Sequence, residues 1–94
     1  MDKKITICVD FDGVLRNHKT GKPIEGALTA VKWLESKGRQ VIVCTAREDL
    51  NNVDEWLTKY GFDKTATNIK PRATCYVDDR GLRFISWDDV CNHY

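Results

Sequence analysis

ITICVDFDGV, residues 5–14, decides the fold. Its first half, Ile5 to Val9, mixes β-branched residues with Thr6 and Cys8, the composition of a strand buried in a sheet. Its second half ends that strand on two aspartates, Asp10 and Asp12, one residue apart. Like charges at that distance repel unless a cation joins them, so a small chain that keeps both has a use for them.

Outward from this stretch, Val41 to Cys44 is a second short apolar run and Cys75 to Val77 a third; weaker strands are expected near Lys64 to Thr67 and Leu82 to Ile85. Between the first two strands, Ile24, Ala27, Leu28, Val31 and Leu34 follow the spacing of one helix face. Pro23 is expected in the first turn and Gly38 just past the last. Leu50, Val53, Leu57 and Tyr60 repeat the helical spacing, with Lys59 in the last turn and Gly61 as the stop. Ser86 with Asp89 ahead of Val90 reads as a capping box opening a short final helix.

Alternating strands and helices predict a small α/β domain, a three-layer Rossmann-like parallel sheet with helices on both faces, joined by right-handed crossovers. In such sheets ligands bind beyond the carboxyl ends of the strands. The residues expected at those ends are Asp10, Thr45 and Asp78, all polar after apolar sequence. The polar segment RNHKTGK, residues 16–22, is read as a short flap or hairpin, too small to be a cap domain.

The chain has 94 residues, which predicts a single domain over residues 1–94. Hydrophobic residues make up 41% and charged residues 31%, the balance of a soluble globule, and a net charge of +1 argues against broad attraction to nucleic acid. No apolar run approaches the roughly 20 residues of a membrane helix, and Met1 to Lys4 is charged with no signal-type core behind it, so a cytoplasmic location is expected. Cys8, Cys44, Cys75 and Cys91 show no CxxC spacing and are expected as small buried hydrophobes rather than as metal ligands or disulfides. His18 and His93 read as surface residues, and Trp33, Trp56 and Trp87 as partly buried or helix-flanking rather than as a base-stacking platform.

Asp78 and Asp79 are expected to join Asp10 and Asp12 across the sheet edge. Four carboxylates there call for a hard divalent ion, and magnesium takes one or two carboxylates together with substrate phosphate oxygens. Thr45 and Lys70 add a hydroxyl donor and a positive charge suited to a phosphoryl group. Acids, hydroxyl and lysine together point to phosphoryl transfer.

DFDGV, then TAR from Thr45, then Lys70 in KPRA, then VDD at Asp78 resembles, in order, the four motifs of the haloacid dehalogenase-like (HAD) phosphohydrolase superfamily, and the resemblance runs from Ile5 to about Asp89. It implies a magnesium-dependent phosphomonoesterase in which Asp10 attacks phosphorus and forms an aspartyl-phosphate, while Asp12 protonates the leaving group and then activates water. Thr45, with Ala46 and Arg47 of the same motif, would bind the phosphoryl group and substrate, and Lys70 would balance charge on Asp10. Magnesium would be held by Asp10, Asp12 through its main-chain carbonyl, and Asp78, with Asp79 assisting through water. An acid at Asp12 favours phosphate esters over carbon–halogen bonds.

The family's acidic pair is often spaced by three or four residues, whereas here it is adjacent, which leaves the part of Asp79 open. The inserted cap of many relatives is lacking, so the site is expected to be open to bulky phosphorylated substrates, such as nucleotides or polynucleotide ends, and Arg47 and Arg80 could meet a second phosphate. Similarity of TARE and DDR to the phosphatase domain of phage-type polynucleotide kinases points the same way. Two competing functions remain at this stage. One is a phosphate-binding regulatory module without turnover; the other is a response-regulator receiver, whose order of motifs disagrees with Thr45 following the second strand. Nothing in the residues reports the oligomeric state.

Overall fold

The computed structural model describes residues 5–69, 73, 75–77, 86, 87, 90 and 91. Four strands, β1 (Thr6–Asp10), β2 (Gln40–Cys44), β3 (Ala66–Thr67) and β4 (Cys75–Val77), form one sheet in the order β3-β2-β1-β4. All three pairings are parallel. Helix α1 (Ala27–Ser36) connects β1 to β2, and α2 (Leu50–Lys59) connects β2 to β3. Their strand order and right-handed crossovers carry both helices to the same face of the sheet.

That face holds the core. Ile7 and Val9 of β1 and Val41 and Val43 of β2 are buried there against Ala30, Val31 and Leu34 of α1 and Val53 and Leu57 of α2. Each fully buried leucine or valine contributes roughly 1.5–3 kcal/mol through the water-accessible area it removes. On the other face β1 and β2 carry Thr6, Cys8 and Asp10 beside Gln40, Ile42 and Cys44, and in β2 burial falls off at alternate residues as a result. The parallel α/β sheet follows the sequence expectation. The two helices α1 and α2 lie on one face of the sheet.

Two local differences have clear causes. Helix α1 opens at Ala27 rather than at Pro23, because Pro23 is bridged antiparallel to Arg16 and the Ile24 N–H donates to the Leu15 carbonyl (2.8 Å). Gly26, at φ +83°, then turns the chain into the helix. The predicted flap is real: Asn17 N–H donates to the Lys22 carbonyl (2.8 Å) and Gly21 N–H to the Asn17 carbonyl (2.7 Å). The second difference is the cysteine pair. Cys8 and Cys44, expected as isolated thiols, are joined in a disulfide. They sit diagonally on one face of adjacent strands, where the register pairs Cys8 with Ile42 and Asp10 with Cys44, and their Cα atoms are 6.4 Å apart, within disulfide reach.

Near the C-terminal end, Trp87 and Val90 are buried; Trp87 Nε1–H donates to the Val14 carbonyl (3.0 Å), and Val90 N–H to the Ser86 carbonyl (3.2 Å), a helical turn where one was expected. Trp33 is exposed, Trp56 half-buried and His18 exposed. The expected strand at Leu82 to Ile85 and His93 lie outside the described residues. Among the described residues no helix is long and apolar enough to cross a membrane.

Candidate active site

The carboxyl ends of β1 and β2 bring the first two motifs together. Asp10, the last residue of β1, is paired in register with Cys44, the last residue of β2, so Thr45 stands one step beyond the neighbour of Asp10. β4 ends at Val77, opposite Val9. Asp78, next in sequence, lies outside the described residues, as do Lys70, Asp79 and Arg80. Of the expected site residues, the structure therefore describes Asp10, Asp12, Thr45, Ala46 and Arg47.

Asp10 is half-buried, and one of its carboxylate oxygens accepts the Phe11 N–H (2.9 Å), which fixes its orientation at the strand end. The chain then reverses. Gly13 at φ +82° permits the turn, and the Leu15 and Arg16 N–H groups both return to the Phe11 carbonyl (3.0 Å each). Phe11 itself points into the core, 1% exposed and edge-on to Trp56 with ring centroids 5.1 Å apart. A buried aromatic thus separates the two aspartates and anchors the backbone that presents them.

Asp12 is clamped. Arg47 donates from Nε to Asp12 Oδ2 (2.7 Å) and from Nη2 to Oδ1 (3.0 Å), the forked geometry of a guanidinium on a carboxylate. Arg16 adds a third donor, Nη1 to Oδ1 at 3.2 Å. Arg47 also lies over the Phe11 ring, 5.5 Å from its centroid, and its Nη1 is 3.6 Å from Asp49. Its pKa is raised above the ordinary arginine value, chiefly by the hydrogen bonds to Asp12 and against the opposing effect of burial, so it is a permanent cation here.

Thr45 is the one buried polar side chain among the described residues, 7% exposed. Its N–H donates to the Thr67 carbonyl (2.9 Å), and its Oγ1 accepts the Arg47 N–H (3.1 Å). A hydroxyl that accepts from its own loop keeps its O–H to donate elsewhere. Ala46, between them, is exposed and contributes its backbone.

The side chain of Asp12 is thus given over to arginines. Its main-chain carbonyl accepts no hydrogen bond among the described residues. No group of three acidic, histidine or cysteine side chains converges among them either. Oxygen donors at Asp10 and the Asp12 carbonyl nevertheless fit a hard cation that needs one or two protein carboxylates.

Arg16 is the site residue that sequence reasoning did not single out. Its signal was present: a cation four residues after Asp12, at the base of a polar flap. That signal is weak on its own, because an arginine in a charged loop is commonly a solvated one.

No curated protein matches the chain. A solved structure of a conserved protein from Bacteroides thetaiotaomicron is similar over 96% of this chain and 88% of that one, with 26% sequence identity and a TM-score of 0.80. The model of the haloacid dehalogenase-like hydrolases matches residues 7–78, a span that takes in β1 with its aspartates, the Thr45 loop and the start of VDD. With the first two motifs side by side at the carboxyl edge of a parallel sheet and the family match covering most of its length, the chain belongs to the haloacid dehalogenase-like hydrolases.

Proposed function

We propose that this hydrolase is a magnesium-dependent phosphomonoesterase that works through an aspartyl-phosphate on Asp10. The observation that supports it most directly is the register of β1 and β2, which sets Asp10 beside the loop of Thr45 at the carboxyl edge of the sheet. Magnesium would be held by Asp10, the Asp12 main-chain carbonyl and Asp78, with Asp79 assisting. When bound it supplies charge neutralisation between an anionic nucleophile and an anionic ester.

The chain's own residues then divide the work. A carboxylate oxygen of Asp10 forms a bond to phosphorus as the bond from phosphorus to the alcohol oxygen breaks. That oxygen takes a proton from Asp12. Water, giving a proton back to Asp12, attacks the phosphorus, the Asp10–phosphorus bond breaks, and inorganic phosphate leaves. Thr45 donates its O–H to a phosphoryl oxygen from a buried, fixed position, and Lys70 balances charge on Asp10. Ala46 and Arg47 line the approach. The flap, residues 16–22, is short, which favours substrates as large as nucleotides or polynucleotide ends.

The test is release of phosphate from an aryl phosphate. Wild-type protein with magnesium is expected to turn over, and Asp10→Asn to lose at least a thousandfold, the scale on which loss of a nucleophile is felt. A wild-type protein that binds phosphate but never releases it from an ester would instead mark a regulatory binding module.

A further inference from the structure

We infer that the Cys8–Cys44 bond is a reversible redox clamp, opened and closed by thiol–disulfide exchange, on the two strands that lead to Asp10 and Thr45 at the edge of the sheet. The clamp concerns the scaffold and stands apart from the phosphatase reading above.

The places of the two sulfurs connect the bond to the site. Cys44 is the last residue of β2, the register partner of Asp10 and the residue before Thr45. Cys8 lies two residues before Asp10 on β1, hence on the same face of the sheet. One bond therefore joins the two strands a single step beneath the candidate catalytic edge. It also closes a long loop: the cysteines are 36 positions apart, and the flap and the whole of α1 lie between them. A cross-link over that length removes much of the freedom of the unfolded chain, so its effect on stability is large.

The strands do not need the bond for their pairing. Their backbone ladder runs from Thr6 opposite Gln40 to Asp10 opposite Cys44, and the hydrophobic core packs on the other face. Opening the bond thus leaves both thiols on paired strands, with Cα atoms 6.4 Å apart and aligned to reclose. The two sulfurs differ in access: Cys8 is 4% exposed, whereas Cys44 is only half-buried, so an outside reagent enters at Cys44. Closing runs in two steps. The Cys44 sulfur attacks one sulfur of a small disulfide such as oxidised glutathione, whose S–S bond breaks as one thiol leaves with the Cys44 proton. The Cys8 sulfur then attacks the Cys44 sulfur of the mixed disulfide, and the second thiol leaves with the Cys8 proton. Two electrons pass from the protein thiols to the small disulfide, which becomes two thiols. A dithiol such as dithiothreitol runs the exchange backwards and is itself oxidised to a cyclic disulfide.

Trypsin releases the two cysteines in separate peptides, residues 5–16 and 40–47. Folded protein equilibrated with oxidised glutathione, alkylated and digested is expected to show them joined, and dithiothreitol added to the folded protein is expected to separate them with circular dichroism unchanged. The oxidised form is expected to melt at least about 10 °C above the reduced form. Its Thr45 amide, bonded to the Thr67 carbonyl, is expected to exchange at least about tenfold more slowly. Cys44→Ser should melt with the reduced wild type in either buffer. The clamp is overturned by peptides that stay unlinked, by a bond that opens only after denaturation, or by oxidised and reduced forms that melt within about 3 °C of each other. Thr45 exchange that ignores the bond overturns it too, as does a Cys44→Ser protein that still gains stability in oxidised glutathione; should that variant not fold, the two forms of the wild type decide. None of these measurements involves phosphate release, so the clamp and the phosphatase reading fail separately.

Discussion

Replacing Asp12 by asparagine separates what this residue does for the fold from what it does for the reaction. The carboxamide keeps the shape and one oxygen acceptor but loses the charge, the Oδ2 acceptor for Arg47 Nε and the capacity to move a proton. Asp12 is 36% exposed and its partners 24% and 34%, so each ion pair falls in the class that contributes about 0.2–1 kcal/mol. Two such pairs bound the stability loss at about 2 kcal/mol, and the oxygen that remains for Arg16 and the second arm of Arg47 brings the expected cost nearer 1. General acid–base catalysis, by contrast, contributes about 10²- to 10⁴-fold, or roughly 3–5 kcal/mol of barrier. Asp12→Asn is therefore expected to unfold in urea within about 2 kcal/mol of wild type while losing at least a hundredfold in aryl phosphate turnover. A folded variant within tenfold of wild-type rate refutes the acid–base role. A stability loss above about 3 kcal/mol would show instead that the arginine clamp is a structural element.

Two further substitutions test the scaffold under the site. Phe11→Ala empties a fully buried position that touches Trp56 and carries Arg47, and is expected to cost about 3–5 kcal/mol by urea denaturation, a large part of the stability of any domain this size; a cost under about 1.5 kcal/mol would mean that the two aspartates are not held by this anchor. Trp56→Phe keeps most of the ring and loses the hydrogen bond to Gly21, so a loss of about 1 kcal/mol and faster amide exchange at Gly21 and Asn17 are expected, with unchanged exchange there counting against the tether.

The fold was legible because hydrophobic period and punctuation agree. Leu50, Val53 and Leu57 mark α2 and Gly61 ends it at φ +82°; the runs at Ile5 and Val41 mark the two central strands. The start of α1 was not legible: Pro23 is a good first-turn residue by propensity, and only the pairing of Arg16 with Pro23, a contact between flap strands, holds it out of the helix. The disulfide escaped for a related reason. Cys8 and Cys44 are 36 positions apart and follow no motif; what brings them together is strand register, which spacing along the chain does not encode. Asp10 and Thr45 were legible as strand-end residues, because polar groups directly after buried strands stand at the edge where α/β sheets bind ligands.

The two carboxylates of DFDGV are held differently. Among the described residues, the side chain of Asp12 faces guanidinium groups from its own chain, while Asp10 accepts a backbone N–H at the strand end. A divalent ion at Asp10 would need from residue 12 only its main-chain carbonyl, which accepts no hydrogen bond among the described residues. This division suits the proposed reaction: a nucleophile benefits from a cation that stays throughout, whereas an acid that must give and regain a proton benefits from a side chain kept out of the metal's own shell.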